Sequence, residues 1–447
     1  MGRVVRTLGQ HGFYAFLPEP IPRHLALNAR TVMLLSEADL ALGRLAGAGR
    51  LLPNPHMLVA PYVAREALSS TRIEGTQASL SDIFDATARG VKDTTDIKEV
   101  TNYIRALELG LSLLPKLPLS LRLMCQVHAQ LLEGVRGQER LPGEVRRSPN
   151  WIGSPDNRPE SAVFVPPPVE EMKDCLSDWQ KFIHEEVELP TLIKAGLLHY
   201  QFETIHPFLD GNGRLGRLLI ILFLIEQKLL PQPLLYMSSY FEARKGDYYD
   251  RLQAVRERGE LQEWVQFFLH GVAVQATDAI ERAERLADLR ELYRGKLQGS
   301  RSRAGEAVEL LFENPIVTAK FVAQRLGMTA QGAHLLLQQL EDLASLKSGI
   351  GYQGARSVGW RQASWRYSTV RQIHREGIRS QLAKRSVQAP TAGDRDAAGA
   401  RSVSRAGRGR VRRAVRRAPC PRARGRVHRD GRRAAPALVV REAQWRR

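Results

Sequence analysis

Apolar residues recur at three-and-four spacing over residues 28–45 and again over 57–68, a pattern that predicts helices with one face turned to a core. The same spacing runs through 97–114, 119–132 and 169–185, and over 191–202 it predicts an amphipathic helix. A nearly all-apolar stretch, 215–230, comes next, and a helix apolar on most sides belongs at the centre of a bundle. Residues 261–292 read as one or two long helices. Pro142, Gly143, Pro149, Asn150 and Pro155 break the helical pattern, so 145–166 is the one segment that reads as a hairpin or irregular flap. The expected fold is mainly α, a helical bundle with a small β-hairpin flap.

Past Gln298 the pattern changes. Residues 306–313, 318–326 and 330–343 form three amphipathic segments, with Gly327 in the short turn between the last two, a spacing that suits a helix-turn-helix. Residues 348–367, with Gly349, Gly351 and Gly354 followed by Trp360, Trp365 and Tyr367, could supply a β-hairpin wing. From about Val370 helical periodicity gives way to Arg, Ala, Gly and Pro, a composition expected to be disordered. The expected organisation is an N-terminal helical region (1–110), a core (111–290), a winged-helix domain (300–370) and a basic tail (371–447).

Charge changes the picture only once it is located. The chain of 447 residues has a formal net charge of +19, but residues 371–447 carry 23 Lys and Arg against 5 Asp and Glu, a net +18 that leaves +1 for residues 1–370. A basic field confined to the tail says nothing about partners of the rest. Cys125, Cys175 and Cys420 are too few and too far apart for a disulfide framework or a paired metal site. The longest apolar run, 218–225, is much shorter than the ~20 residues of a membrane helix, and residues 1–10 have no signal-peptide core. A cytoplasmic protein without a membrane partner is the expectation.

The chemistry concentrates in His206-Pro207-Phe208-Leu209-Asp210-Gly211-Asn212-Gly213-Arg214-Leu215-Gly216-Arg217. Glycines let backbone amides approach phosphate oxygens, and a following helix start adds a positive field, so Gly211, Asn212 and Gly213 suit an anion cradle. Arg214 and Arg217, three apart, share a helical face from which both guanidiniums reach a polyphosphate. Asp210 is a hard oxygen ligand suited to Mg2+, and His206 can take a proton from an attacking hydroxyl. Phe208 anchors the loop. The segment lacks the Lys of a Walker loop, and an EF-hand would need an oxygen ligand at Arg214, a glycine at Leu215 and a glutamate at Ile221.

This run resembles, at every position, the HxFx[DE]GNGRxxR motif of Fic proteins, and the resemblance extends over roughly residues 10–290. It implies a protein adenylyltransferase that moves AMP from ATP to a Tyr, Thr or Ser hydroxyl with release of pyrophosphate. His206 would be the general base, Asp210 the Mg2+ ligand, Gly211–Gly213 the anion cradle, and Arg214 and Arg217 the phosphate-binding arginines. Ser70, Glu74 and Gly75 resemble the [ST]xxxE[GN] inhibitory helix of the family. Residues 163–168 look like the flap strand that clamps a target peptide by strand addition, and Tyr248 and Tyr249 lie where the family contacts the nucleoside. His199 and His128 read as packed or capping residues. The family also contains members that use other nucleotide donors or remove AMP.

Residues 305–367 resemble the winged helix that often follows the Fic core. Its presumed recognition helix has no Lys or Arg over 330–343, which favours protein contact or dimerisation over DNA. For the tail two readings stay open: nonspecific nucleic-acid binding, or an out-of-frame product of a GC-rich gene. The other class of function left open is a nucleotide-sensing, DNA-binding or partner-binding regulator without turnover; retention of His206 argues for turnover.

Overall fold

The computed structural model describes residues 2–7, 12–51, 55–89, 94–297 and 302–345. Two strands open it, β1 (Gly2–Arg6) and β2 (Tyr14–Pro18), paired antiparallel with Gly2 opposite Pro18 and Arg6 opposite Tyr14. The helices follow as α1 (Ala29–Leu51), α2 (Pro55–Ile73), α3 (Leu80–Arg89), α4 (Thr95–Leu113), α5 (Leu121–Leu131), α6 (Val169–His184), α7 (Thr191–Ile205), α8 (Asn212–Glu226), α9 (Met237–Ala243), α10 (Lys245–Arg258), α11 (Leu261–Leu297), α12 (Ala304–Glu313), α13 (Ala319–Leu326) and α14 (Ala330–Ser345). Each helix that the apolar spacing predicts is present, α11 is continuous, and α3, α9 and α10 are additional. The mainly α expectation holds.

The apolar helix α8 is central, with no residue of 218–224 more than 1% exposed. It packs on α7, α4, α5 and α2, while α1 lies along α11. The helix leading into the motif departs from the expected amphipathic form: every residue of α7 from Leu192 to Ile205 is buried. It is packed against α6, α8 and α11, so no face remains for water, and several of its polar groups are answered inside, while Tyr200 Oη and Glu203 Oε1 have no hydrogen-bond partner among the described residues. Lys194 Nζ donates to Glu185 O at 2.9 Å and Gln201 Nε2 to Glu19 O at 3.0 Å. Carbonyls of α7 accept the buried indoles, Leu198 O from Trp179 Nε1 (3.1 Å) and Gly196 O from Trp264 Nε1 (2.9 Å).

The flap is a loop closed by one antiparallel bridge between Ile152 and Phe164, with N–H to O distances of 2.8 and 3.2 Å. The regular hairpin is instead β1–β2, and the Phe16 N–H of β2 donates to Val165 O of the flap at 2.9 Å.

Helices α12–α14 enclose a core of their own that includes Val308, Val317, Val322, Leu336 and Leu337. Thr318 caps α13, accepting from the Phe321 N–H, and Gly327 ends it in the left-handed region at φ 60°. Beyond α12, Ile316 packs with Ala64 of α2 and with Phe84 and Ala88 of α3, and Asn314 Nδ2 donates to Phe84 O at 3.3 Å. The expected wing at 348–367, the tail at 371–447 and Cys420 lie outside the described residues. Among those described, no helix is long and apolar enough to cross a membrane, and Cys125 and Cys175 are free thiols.

Candidate active site

The motif forms the turn between α7 and α8. His206 caps α7 in a left-handed conformation (φ 49°, ψ 61°), its N–H bonded to Phe202 O, a state a non-glycine residue keeps only when its surroundings hold it. Asn150 Nδ2 donates to His206 O (3.3 Å) and Phe208 O (2.9 Å), and Arg146 Nε donates to His206 O (3.0 Å). Inside the turn, Asn212 Oδ1 accepts the Phe208 N–H (2.9 Å) and Asn212 Nδ2 returns a bond to Phe208 O (2.7 Å). The Asn212 side chain therefore staples the loop, and only its backbone is left for a cradle.

His206 Nδ1 lies 3.3 Å from Glu203 O. A carbonyl accepts only, so Nδ1 carries the proton and Nε2 keeps a lone pair. Burial pulls the imidazole pKa down to about 4, with Arg256 and Arg146 adding to the effect and the Glu203 carbonyl opposing it, so the ring is neutral at physiological pH.

His128 proves to be a support of the same loop. Its Nδ1 accepts the Gly143 N–H at 2.8 Å, so its Nε2 is protonated and donates to Asp210 O at 2.9 Å, and the ring stacks on Phe208 at 4.0 Å between centroids. Asp210 Oδ1 accepts the Gly211 N–H (2.5 Å). Gly211 takes φ 75°, and α8 starts at the next residue. The α8 ladder opens with Leu215 N–H to Gly211 O, so the amides of 212–214 have no place in it and are available to an anion.

The two arginines differ in their partners. Arg214 is 4% exposed and reaches Asp210 Oδ1 only at 3.5 Å, while its Nε and Nη1 have no hydrogen-bond partner among the described residues. A buried guanidinium short of acceptors is costly, and an anion at the cradle would relieve it. Arg217 has partners on two of its nitrogens: Nε donates to Ser70 Oγ (2.8 Å), and Nη2 to Ser70 O (2.9 Å) and Glu74 Oε1 (2.7 Å). Burial opposes ionisation of Glu74, but the charge and hydrogen bond of Arg217 outweigh it and hold the carboxyl below its ordinary range. Gly75, at φ 99°, ends the last turn of α2, and Thr76 Oγ1 ties the exit to Glu99 Oε2 of α4 at 2.7 Å.

Tyr248 is buried, and its hydroxyl donates to His199 Nε2 (3.0 Å), because His199 Nδ1 gives its proton to Gly216 O (2.9 Å). Tyr249 is 40% exposed and close enough to feel the charges of Glu74 and Arg217. Of the residues singled out in the sequence, the structure brings together those of 206–217 with Ser70 and Glu74. Arg146, Asn150 and His128 join them from elsewhere in the chain.

Two family models match this sequence, the Fic/DOC family N-terminal region over residues 32–112 and the Fic/DOC family over residues 118–224. The chain carries Fic/DOC family domains over these residues. A probable protein adenylyltransferase from Aquifex aeolicus is 35% identical to it over 89 residues, which is 19% of this chain and 28% of that protein. The protein adenylyltransferase Fic of Drosophila grimshawi is 28% identical over 210 residues, 44% of this chain and 39% of the relative. The chain thus spans less than half the length of these curated relatives. A Fic family protein from Desulfovibrio desulfuricans G20 matches in structure with a TM-score of 0.50 at 21% identity, covering 77% of this chain and 100% of that one, which shows a shared fold.

Proposed function

We propose that this Fic protein is a protein adenylyltransferase that moves AMP from ATP onto a Tyr, Thr or Ser hydroxyl of a target protein and is held at low activity by Glu74. The observation that carries the reading is the meeting, in one turn, of a histidine with an accepting Nε2 and a buried Arg214 with unmatched donors. In the reaction, the target oxygen attacks the α-phosphorus and its proton passes to His206 Nε2. The new O–P bond forms as the bond to the β-phosphate oxygen breaks, and pyrophosphate leaves with the electron pair. Negative phosphate at the cradle raises the His206 pKa from its low resting value toward that of an effective base. Arg214 and the amides at the start of α8 hold phosphate oxygens, and Tyr249 lies on the accessible side where a nucleoside would rest.

The fit to Mg2+ rests on the Asp210 carboxylate, 42% exposed with one oxygen turned to the Gly211 amide. Mg2+ bound there would neutralise phosphate charge, taking its other ligands from the nucleotide and water. Glu74 competes with that nucleotide: its carboxylate occupies the Arg217 fork that a terminal phosphate needs. Target proteins are expected to dock at the flap, and the chain itself is the first target to assay.

The test is autoadenylylation with labelled ATP, checked by an intact-mass gain of one AMP. Glu74→Gly should raise labelling by about a hundredfold, the scale on which small misplacements of reacting atoms act. Labelling equal to or below wild type in this variant would sink the inhibitory role of Glu74. Absence of any nucleotide transfer from either protein would favour the non-catalytic regulator.

A further inference from the structure

Arg146 stands sixty residues before the histidine it touches and is 1% exposed. Its guanidinium is bound by carbonyls: Nε donates to His206 O (3.0 Å), Nη1 to Ser148 O (3.3 Å), and Nη2 to Pro167 O (2.6 Å) and Ile205 O (3.5 Å). Its own N–H donates to Pro207 O at 2.9 Å. These acceptors lie on three stretches: the end of α7 with the base, the chain entering the flap and the chain leaving it. The bridge between Ile152 and Phe164 lies between those two legs.

Burying a cation costs several kcal/mol on the order-of-magnitude scale for ions in proteins, so the site must compensate it. The end of α7 does so with its terminal carbonyls, the negative end of the helix. Burial lowers the Arg146 pKa to about 10, which leaves it charged at neutral pH. A planar fork fixes direction as well as distance, so one side chain sets the spacing of all three stretches. Two further ties run in parallel. Asn150 holds His206 O and Phe208 O, and Arg256 lies over the Phe164 ring at 3.7 Å while donating to Thr204 Oγ1 (3.3 Å) and Glu203 O (3.4 Å).

We propose that Arg146 is the positioning residue of this site: it pins both legs of the flap to the backbone of His206, so that a hydroxyl presented at the flap and the His206 Nε2 keep one separation. The inference rests on the adenylyltransferase reading for its consequence in rate. Arg146 does not touch the nucleotide cradle, so its loss acts on the transfer step and leaves ATP affinity alone.

The experiment places Arg146→Lys, which keeps the charge and loses the fork, in the Glu74→Gly background. The expected result is a kcat for AMP transfer about a hundredfold lower, with KM for ATP within about twofold, the split that marks a lost transition-state geometry. In parallel, 15N spectra of the imidazoles should show the His206 Nδ1–H signal shifted or exchange-broadened. If Arg146→Lys does not fold, Asn150→Ala removes one parallel tie without stranding a cation and should lower kcat about tenfold with the same unchanged KM. An unchanged kcat in the folded variant overturns the proposal. If Glu74→Gly itself transfers no AMP, the enzymatic reading falls, and the His206 spectrum alone then judges Arg146: an unaltered signal refutes the positioning role.

Discussion

His206 sits in a backbone region that costs a non-glycine residue on the order of 1–2 kcal/mol, and it is kept there by donors from Arg146 and Asn150. His206→Ala removes the proposed base and none of the proposed phosphate donors, so AMP transfer should fall by about a thousandfold or more while ATP binding, measured by titration calorimetry, stays near wild type. Transfer close to the wild-type rate would take His206 out of the chemistry. His206, Asp210, Arg214 and Arg217 were legible as a cluster because one contiguous loop carries them. The supports of that loop were not. Arg146, Asn150 and His128 act on backbone carbonyls and amides, and every residue offers such groups, so no side-chain pattern advertises the contact. Arg217 was read as a phosphate ligand, and in the structure its fork is filled by Ser70 and Glu74, the same two positions that the sequence marked for inhibition.

Helix α7 shows where periodicity misleads at the scale of elements. The expected amphipathic helix implies a wet face, yet its polar residues Lys194 and Gln201, and Glu203 just beyond, are all buried, because neighbouring helices and the segment after β2 supply their partners or enclose them. The strands β1 and β2 were missed for the opposite reason. Their burial does not alternate along the chain, so the period of two that signals a strand is absent. The contact of α7 with α8 depends on a glycine: a Cβ added at Gly216 would stand 2.6 Å from Glu203 Oε1 and 3.3 Å from the His199 ring. Gly216→Ala should cost about 1–3 kcal/mol, the range for overpacking a close-packed site, and because the strain falls between the base and Arg217 it should also slow AMP transfer. Denaturant titration reads the first effect; an unchanged midpoint would show that the Glu203 carboxyl gives way freely.

At the scale of the whole molecule, several groups among the described residues, buried in the less usual protonation state, shape stability against pH. Burial holds His128 at about 4, His199 at about 3 and His206 at about 4. Each is neutral when folded and gains a proton more readily when unfolded, so its contribution is present above the unfolded value near 6.5 and is lost as pH falls toward 4. Glu66 and Glu203 work the other way. Burial raises both to about 7, so the folded chain holds protons that the unfolded chain has released, and stability falls as pH rises from about 4.5 through 7. Between about pH 4.5 and 6.5 the two sets oppose, three imidazoles against two carboxyls, and thermal stability should decline only gently toward acid. Below about pH 4.5 the carboxyls are protonated in both states, their offset disappears, and the decline should steepen. Glu203→Gln isolates the balance. Glu203 is faced by Arg217 from α8, Glu74 from the turn after α2 and Arg256 from α10, and the amide keeps its shape without the titration. Melting temperature against pH should then fall more steeply between 6.5 and 4.5 than in wild type, and the loss of stability as pH rises from 6.5 through about 7 should shrink. Two superimposable profiles would mean that Glu203 is ionised in the folded chain at neutral pH, with its charge balanced by Arg217.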